Sequence, residues 1–564
     1  MKPVLIRLIC LLGLVITPVI LSANAISPPS INAGFVNKAN VNAPLGTNLT
    51  SIADWSTEYP FINYFHMARP WFSASATAFQ DNNLLKVNSG GNVVALAKGQ
   101  YARTVIFTGS FVDPNLSGQT FDVFYDGQGV LSYSNVNVIS QSPGHDVIQL
   151  KTATNDLTTT ITLLQTNPAN PLRNIRLLPP GGICVNNPLV MVQNSTQCQT
   201  GKYRAFSQYY NFIVFNPNFL NDIKSYRSLR FMEWMQTNGS NQINFSQRPL
   251  PTDQFWSTNK GVPLEVMIAL ANLMNVDPWF NIPHLATDDY IKQFAGILKT
   301  QLAPARRAYI EYSNEVWNSG FSQTTYAYNQ AISLGISNSK VDNWTGMIRF
   351  YSMQSQHVFV LFESVMGGTS RIRRVMSTQA VVPYFTQVIM DYGQAAHKTD
   401  IFAIAPYFGS IISNSTQENE LLTLGVNGVF DWLFNDNNAI LTYGSLPFID
   451  RVVEAQVSAL KPYGVPLTTY EGGQTFVVTG SILYDKAVNN LMDAVNRDPR
   501  MKQVYLTYLN NWRNRTGQIF HHYVHACRWS VYGRWGAKEY DAQPQANAPK
   551  YDAIMTYMAK NPLP

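Results

Sequence analysis

The 564-residue sequence predicts an α/β chain built as a (β/α)8 TIM barrel, with an all-β, sandwich-like domain inserted after the first barrel strand. From about residue 206 onward, short β-rich runs alternate with stretches of helical periodicity, the pattern of a parallel sheet with helical crossovers. Between about residues 101 and 178 that rhythm gives way to closely spaced β runs parted by turn residues, which suits a small sandwich. An open doubly wound sheet is the competing architecture. Against it, no Gly-x-Gly-x-x-Gly and no Gly-rich phosphate loop with Lys follows a strand.

The elements follow in chain order. Lys2 and Arg7 precede an apolar run from Leu8 to Leu21, and Ala23-Asn-Ala25 ends it in a small-x-small pattern. That pattern predicts a signal peptide over residues 1–25, cut after Ala25, since the run is short for a membrane span. Residues 26–75 read as a lead-in plus the first barrel strand, placed at Leu49–Ile52. The inserted domain is expected over 76–180, with β runs at Thr104–Thr108, Thr120–Tyr125, Val130–Tyr133, Asp146–Lys151 and Thr158–Leu164. Asp126-Gly127 and Pro143-Gly144 supply turns between them.

Residues 181–564 carry the rest of the barrel. Strands are expected at Leu229–Trp234, Trp279–Ile282, Ala308–Tyr312, Arg373–Met376, Ile401–Ala405, Pro466–Tyr470 and Gln518–Tyr523. Helical periodicity runs over Val262–Met274 and Gly346–Met366, and Thr287 with Asp288 and Asp289 starts a helix reaching about Lys299.

Hydrophobic residues make up 46% and charged residues 13%, which excludes a disordered chain. Loss of residues 1–25 lowers the formal charge from +6 to +4, too little to imply nucleic-acid binding. Nothing later in the chain could span a membrane, so an exported protein at the periplasm, cell surface or exterior, acting as a monomer, is expected. Cys184 and Cys198 flank a short polar loop and are candidates for a disulfide, while Cys527 reads as a buried thiol. His521, His522 and His525 are the nearest approach to a metal-ligand set. They lack the intervening Glu of zinc-binding helices, so neither metal nor cofactor is expected.

Two segments carry chemistry. Tyr309-Ile-Glu-Tyr-Ser-Asn-Glu-Val-Trp-Asn318 is a short strand ending in Asn314-Glu315, with Trp317 just beyond. A carboxyl group where a barrel strand stops is well placed for proton transfer. Val465-Pro-Leu-Thr-Thr-Tyr-Glu-Gly-Gly-Gln474 repeats the logic: the run ends in Glu471, and two glycines then let the backbone turn away. Glu311 is the rival of Glu315, since strand parity puts both on one side, but only Glu315 sits at the strand end. No Gly-x-Ser-x-Gly elbow is present, which argues against an esterase.

With both carboxylates in hand, the chain resembles the clan-A glycoside hydrolases, a superfamily of retaining (β/α)8-barrel enzymes. There an Asn-Glu pair closes the fourth strand as acid/base and a second Glu closes the seventh as nucleophile. Glu311-Tyr-Ser-Asn-Glu-Val-Trp-Asn318, Asp54-Trp-Ser-Thr-Glu-Tyr-Pro-Phe61 and Ala68-Arg-Pro-Trp71 look like a group of exported, poorly characterised proteins of this kind. The resemblance implies a secreted glycosidase that cleaves β-linked glycans with retention, with Glu315 as acid/base and Glu471 as nucleophile. Beside Glu315, Asn314 is placed to orient a substrate hydroxyl and Trp317 is a candidate to bind or support the substrate; the resemblance further implies that Tyr407 bonds the nucleophile and Arg230 keeps it ionised. His284 would face the sugar, and Trp529 or Trp535 would supply a stacking platform. A non-catalytic carbohydrate-binding or adhesion protein on the same scaffold is the alternative.

Overall fold

A computed structural model describes residues 35–109, 113–152, 156–199 and 201–563. The segment expected to be a signal peptide lies outside them. None of the described helices is long and apolar enough to cross a membrane.

Eight parallel strands form the barrel: β1 (Leu45–Asn48), β2 (Ser228–Arg230), β3 (Asp277–Ile282), β4 (Ala308–Tyr312), β5 (Ile372–Ser377), β6 (Ile401–Ile404), β7 (Leu467–Thr469) and β8 (Phe520–His522). Their hydrogen-bonded order is β7-β6-β5-β4-β3-β2-β1-β8. Side chains bridge the remaining seam between β7 and β8. Thr468 Oγ1 donates to Ile519 O at 2.8 Å, and His521 N donates to Thr469 Oγ1 at 2.6 Å. Helices follow most strands, among them Leu264–Met274, Asp288–Gln301, Asn343–Met366, Leu446–Leu460 and Arg500–Thr516. Thr287 caps the second of these by accepting from Tyr290 N at 3.2 Å.

Packed side chains fill the barrel interior. Trp279 stacks on Tyr309 with ring centres 4.9 Å apart, and His521 meets Trp279 edge-on at 4.8 Å. Gly46 makes room for that imidazole, since a Cβ there would lie 2.4 Å from His521 Cδ2. His521 is therefore a core residue.

The first strand falls at Leu45–Asn48, four residues before the expected Leu49–Ile52. Leu49 N still reaches Arg230 O at 3.4 Å, but Thr50 N donates to Glu58 Oε2 at 3.1 Å. A side chain thus takes the donor that a longer strand would have given to the ladder. Leu49 and Ile52 are buried, which is why their pattern imitates a strand.

The insertion is a sandwich of two four-stranded antiparallel sheets. One runs Phe72–Ser75, Gln100–Ile106, Thr159–Thr166, Gly129–Ser134; the other runs Arg173–Leu178, Thr120–Asp126, His145–Leu150, Val136–Ser142. Phe121, Val123 and Tyr125 alternate inward along one strand, the period of a half-buried strand. A three-stranded sheet (Gly182–Cys184, Asn187–Val192, Tyr203–Ala205) follows, in a stretch that the sequence assigned to the barrel. Cys184 and Cys198 are joined there by a disulfide.

Candidate active site

Glu315 and Glu471 sit just past the carboxyl ends of β4 and β7. Strand β4 stops at Tyr312, and Ser313 and Glu315 then take left-handed backbone conformations, with φ of 59° and 40°. Non-glycine residues rarely adopt these values, and they cluster where function demands a particular side-chain direction. The turn also separates Glu315 from Glu311, which strand parity alone could not do.

Glu311 is fully enclosed and its carboxylate is saturated. Oε2 accepts from Arg230 at 2.9 Å, Trp279 Nε1 at 2.9 Å and Asn281 Nδ2 at 2.6 Å, and Oε1 accepts from Ser377 Oγ at 2.9 Å. With both oxygens committed inside the barrel, it is a structural counter-ion. Glu315 is half-buried, and among the described residues it accepts from neutral donors: Tyr470 Oη at 2.9 Å on one oxygen and Asn318 Nδ2 at 2.8 Å on the other.

Glu471 accepts from Arg230 at 2.8 Å on Oε1 and from the Tyr407 hydroxyl at 2.9 Å on Oε2. Behind it, a Cβ on Gly472 would meet Phe520 Cζ at 2.4 Å, and Gly473 has φ 138°. The two glycines thus allow this turn to lie against β8.

Arg230 ties the site together. Wholly buried, it also donates to Asn314 Oδ1 at 2.8 Å and Asn48 Oδ1 at 3.2 Å, under the rings of Trp279 and Tyr470. One cation between two carboxylates leaves the region short of positive charge. Burial pushes Glu471 up to about 8, the Arg230 guanidinium pulls it down, and the Glu315 charge pushes it up again. Burial raises Glu315 as well, opposed by its hydrogen bonds from Asn318 and Tyr470.

The remaining candidates differ in placement. Asn314 is buried, and its amide nitrogen donates to Asn238 Oδ1 at 3.0 Å rather than lying open. Buried His284 follows β3, and its Nδ1 has no hydrogen-bond partner among the described residues; burial lowers it to about 4. Trp317 packs half-buried against the core, with its indole N–H likewise unpartnered among the described residues. Trp535 lies edge-on to Tyr407 at 5.5 Å and to Tyr523 at 5.9 Å, beside the nucleophile candidate. Trp529 is held elsewhere: Lys550 and Arg497 sit over its ring at 4.3 and 5.1 Å, and its N–H donates to Gly536 O.

Four residues of the site escaped the sequence reading. Tyr470 and Asn318 adjoin the two motifs and were legible as polar neighbours. Glu233, which accepts from Tyr523 Oη at 2.9 Å, and Asn48, which braces Arg230, had no signal beyond lying after β2 and at the end of β1.

No family model and no curated protein sequence matches the chain. Among solved structures it is similar to a 4-O-α-L-rhamnosyl-β-D-glucuronidase from Fusarium oxysporum, with 13% identity over 59% of this chain and 61% of that one, at a TM-score of 0.33. It is also similar to xylanase 10C from Cellvibrio japonicus (11% identity, 86% and 98% covered, TM-score 0.30) and to a Bacteroides ovatus GH5 xyloglucanase (12%, 79% and 97%, 0.33). The chain therefore spans about three fifths of the first of these enzymes. Similarities this distant assign no residue a role. The barrel rests on its own strand order, and its structural neighbours are glycoside hydrolases.

Proposed function

We propose that the protein is a secreted glycoside hydrolase that cleaves β-linked glycans by double displacement, with retention of anomeric configuration. One observation carries this reading: of two carboxyls just past the ends of β4 and β7, Glu315 is bonded by the Tyr470 hydroxyl and Glu471 by Tyr407 and Arg230, and the Arg230 guanidinium lies against the Tyr470 ring at 5.2 Å.

The chemistry follows from the donors. A permanent cation in contact with Glu471 favours its charged form, whereas Glu315 receives only dipoles. The pair therefore shares one proton, which resides on Glu315, the carboxyl raised by burial and without a cation bonded to it. Glu471 attacks the anomeric carbon while Glu315 protonates the departing oxygen. Glu315, now ionised, takes a proton from the water that releases the sugar. Trp535 supplies the apolar face against which the ring stacks, and Trp529, covered by two cations, does not.

The test is chemical rescue. Glu471→Ala abolishes turnover, and azide restores it with a glycosyl azide of inverted configuration. Undiminished turnover by both Glu471→Ala and Glu315→Ala would sink the assignment. A protein that binds glycans but releases no reducing ends from a broad panel would be the carbohydrate-binding alternative.

A further inference from the structure

A second cluster of buried ionisable groups lies away from the carboxylate pair, where the inserted domain meets the barrel. It involves the Asp54–Phe61 motif, which the catalytic reading leaves unused. Asp54 of that motif is explained by its ion pair with Arg69, at 2.8 Å. Glu58 is not. Its side chain is wholly buried among His525 and Asp541, and one potential ligand atom from each of the three lies within 4.8 Å of the others.

Each of the three keeps one atom that meets no hydrogen-bond partner among the described residues: Glu58 Oε1, Asp541 Oδ1 and His525 Nε2. Their other atoms are engaged. Thr50 N donates to Glu58 Oε2 at 3.1 Å, Tyr59 N to Asp541 Oδ2 at 2.6 Å, and His525 Nδ1 is 3.4 Å from the Tyr226 hydroxyl. Those contacts orient the three atoms, of which His525 Nε2 also faces Asp222 Oδ2 at 3.9 Å, as outer hydrogen bonds orient metal ligands. Donors about 2.0–2.2 Å from one ion stand roughly 3–4 Å apart, so atoms within 4.8 Å of one another need close in by only about 1 Å to share an ion.

Charge gives an independent argument. Four carboxyls, those of Glu58, Asp541, Asp222 and Asp113, gather about one ammonium, that of Lys538, which is bonded to Asp222 and to the Asp541 carbonyl. A divalent cation would supply the positive charge that this set of carboxyls lacks. Asp113 and Asp541 also line an open cleft of about 560 Å³, which brings solvent to the edge of the cluster.

We propose that Glu58, His525 and Asp541 bind one zinc ion, with the fourth position facing the cleft. Two carboxylates and an imidazole are a zinc donor set, whereas calcium would require six to eight oxygens. Because Glu58 follows β1 while His525 and Asp541 follow β8, the ion clamps the loops of the two neighbouring strands together. It is structural and takes no part in glycoside cleavage.

The test uses untagged full-length protein stripped with a chelator and titrated with zinc chloride by calorimetry, with metal content measured after dialysis. Expected are one zinc per chain and, at a hundredfold excess over Kd, a Tm rise of about 2 °C. His525→Ala and Glu58→Gln lose the binding, while Glu471→Ala keeps it. If those two variants do not fold, cobalt(II) bound to the wild type decides, through visible absorption bands of a four- or five-coordinate site. No uptake by the wild type, full uptake by folded His525→Ala, or loss of uptake in Glu471→Ala each overturns the proposal. So does a Glu58→Gln protein that gains stability while the wild type binds no metal, which would mean that the carboxyls share protons instead.

Discussion

Replacing Tyr407 by Phe separates the chemistry of Glu471 from the stability of the fold. The hydroxyl donates to Glu471 Oε2 at 2.9 Å, while the ring packs against Trp535 and stays in the variant. A hydrogen bond to a charged group contributes about 1.5–3 kcal/mol. Its loss falls on the carboxylate form, which kcat/KM needs in the free enzyme, and corresponds to about 10- to 100-fold in rate. The sign on pH is fixed as well. The phenol favours the ionised carboxylate, so its removal raises the Glu471 pKa and moves the acid limb of the kcat/KM profile upward, by about one to two units. The assay is the pH dependence of aryl glycoside hydrolysis by both proteins, with urea unfolding to confirm that stability changes by less than about 1 kcal/mol. An unshifted acid limb with wild-type kcat/KM would refute the reasoning. So would a loss of rate that merely tracks a loss of stability.

Three further outcomes follow from the same site. On the alkaline side, kcat/KM should fall as the Glu315 carboxyl, which burial raises above the ordinary carboxylate range, loses its proton; a profile flat to pH 10 would contradict the assignment of Glu315 as acid. Glu311→Gln should destabilise the protein by about 3–5 kcal/mol in urea unfolding, because an amide cannot accept from all the donors that converge on that carboxylate and leaves Arg230 under-compensated. A cost below about 1 kcal/mol would show that the cluster is not needed. Gly472→Ala should cost about 1–3 kcal/mol through the clash with Phe520, and should lower kcat by a larger factor, on the order of 100-fold, by displacing Glu471. Near-normal kinetics in the folded variant would indicate that the turn has room.

The barrel was legible because its strands are apolar runs between helices of clear periodicity, and Ala308–Tyr312 falls where the pattern puts it. The two acidic motifs were legible because each carboxyl ends such a run. The sandwich strands were legible from alternation and turn residues. What escaped depends on contacts between distant segments. The end of β1 is decided by Glu58, eight residues on, taking the amide of Thr50. Parity along β4 put Glu311 and Glu315 on one side, yet positive φ beyond Tyr312 sends them to different tasks. The contrast between Trp529 and Trp535 depends on Lys550 and Arg497, which no local pattern connects to either ring.

The position of β1 between β2 and β8 has a consequence for the life of the chain. Thr47 pairs with His522 across 475 positions. The first barrel strand to leave the ribosome thus waits for nearly the whole of translation before its outer neighbour exists. Contacts so far apart in sequence carry a large closure entropy and form late. The sandwich, whose strands pair within about a hundred residues, can meanwhile fold as a unit while the barrel edge stays open. A nascent chain halted before residue 520 would expose that edge, and pulse proteolysis of stalled chains would find the sandwich protected and the barrel cut.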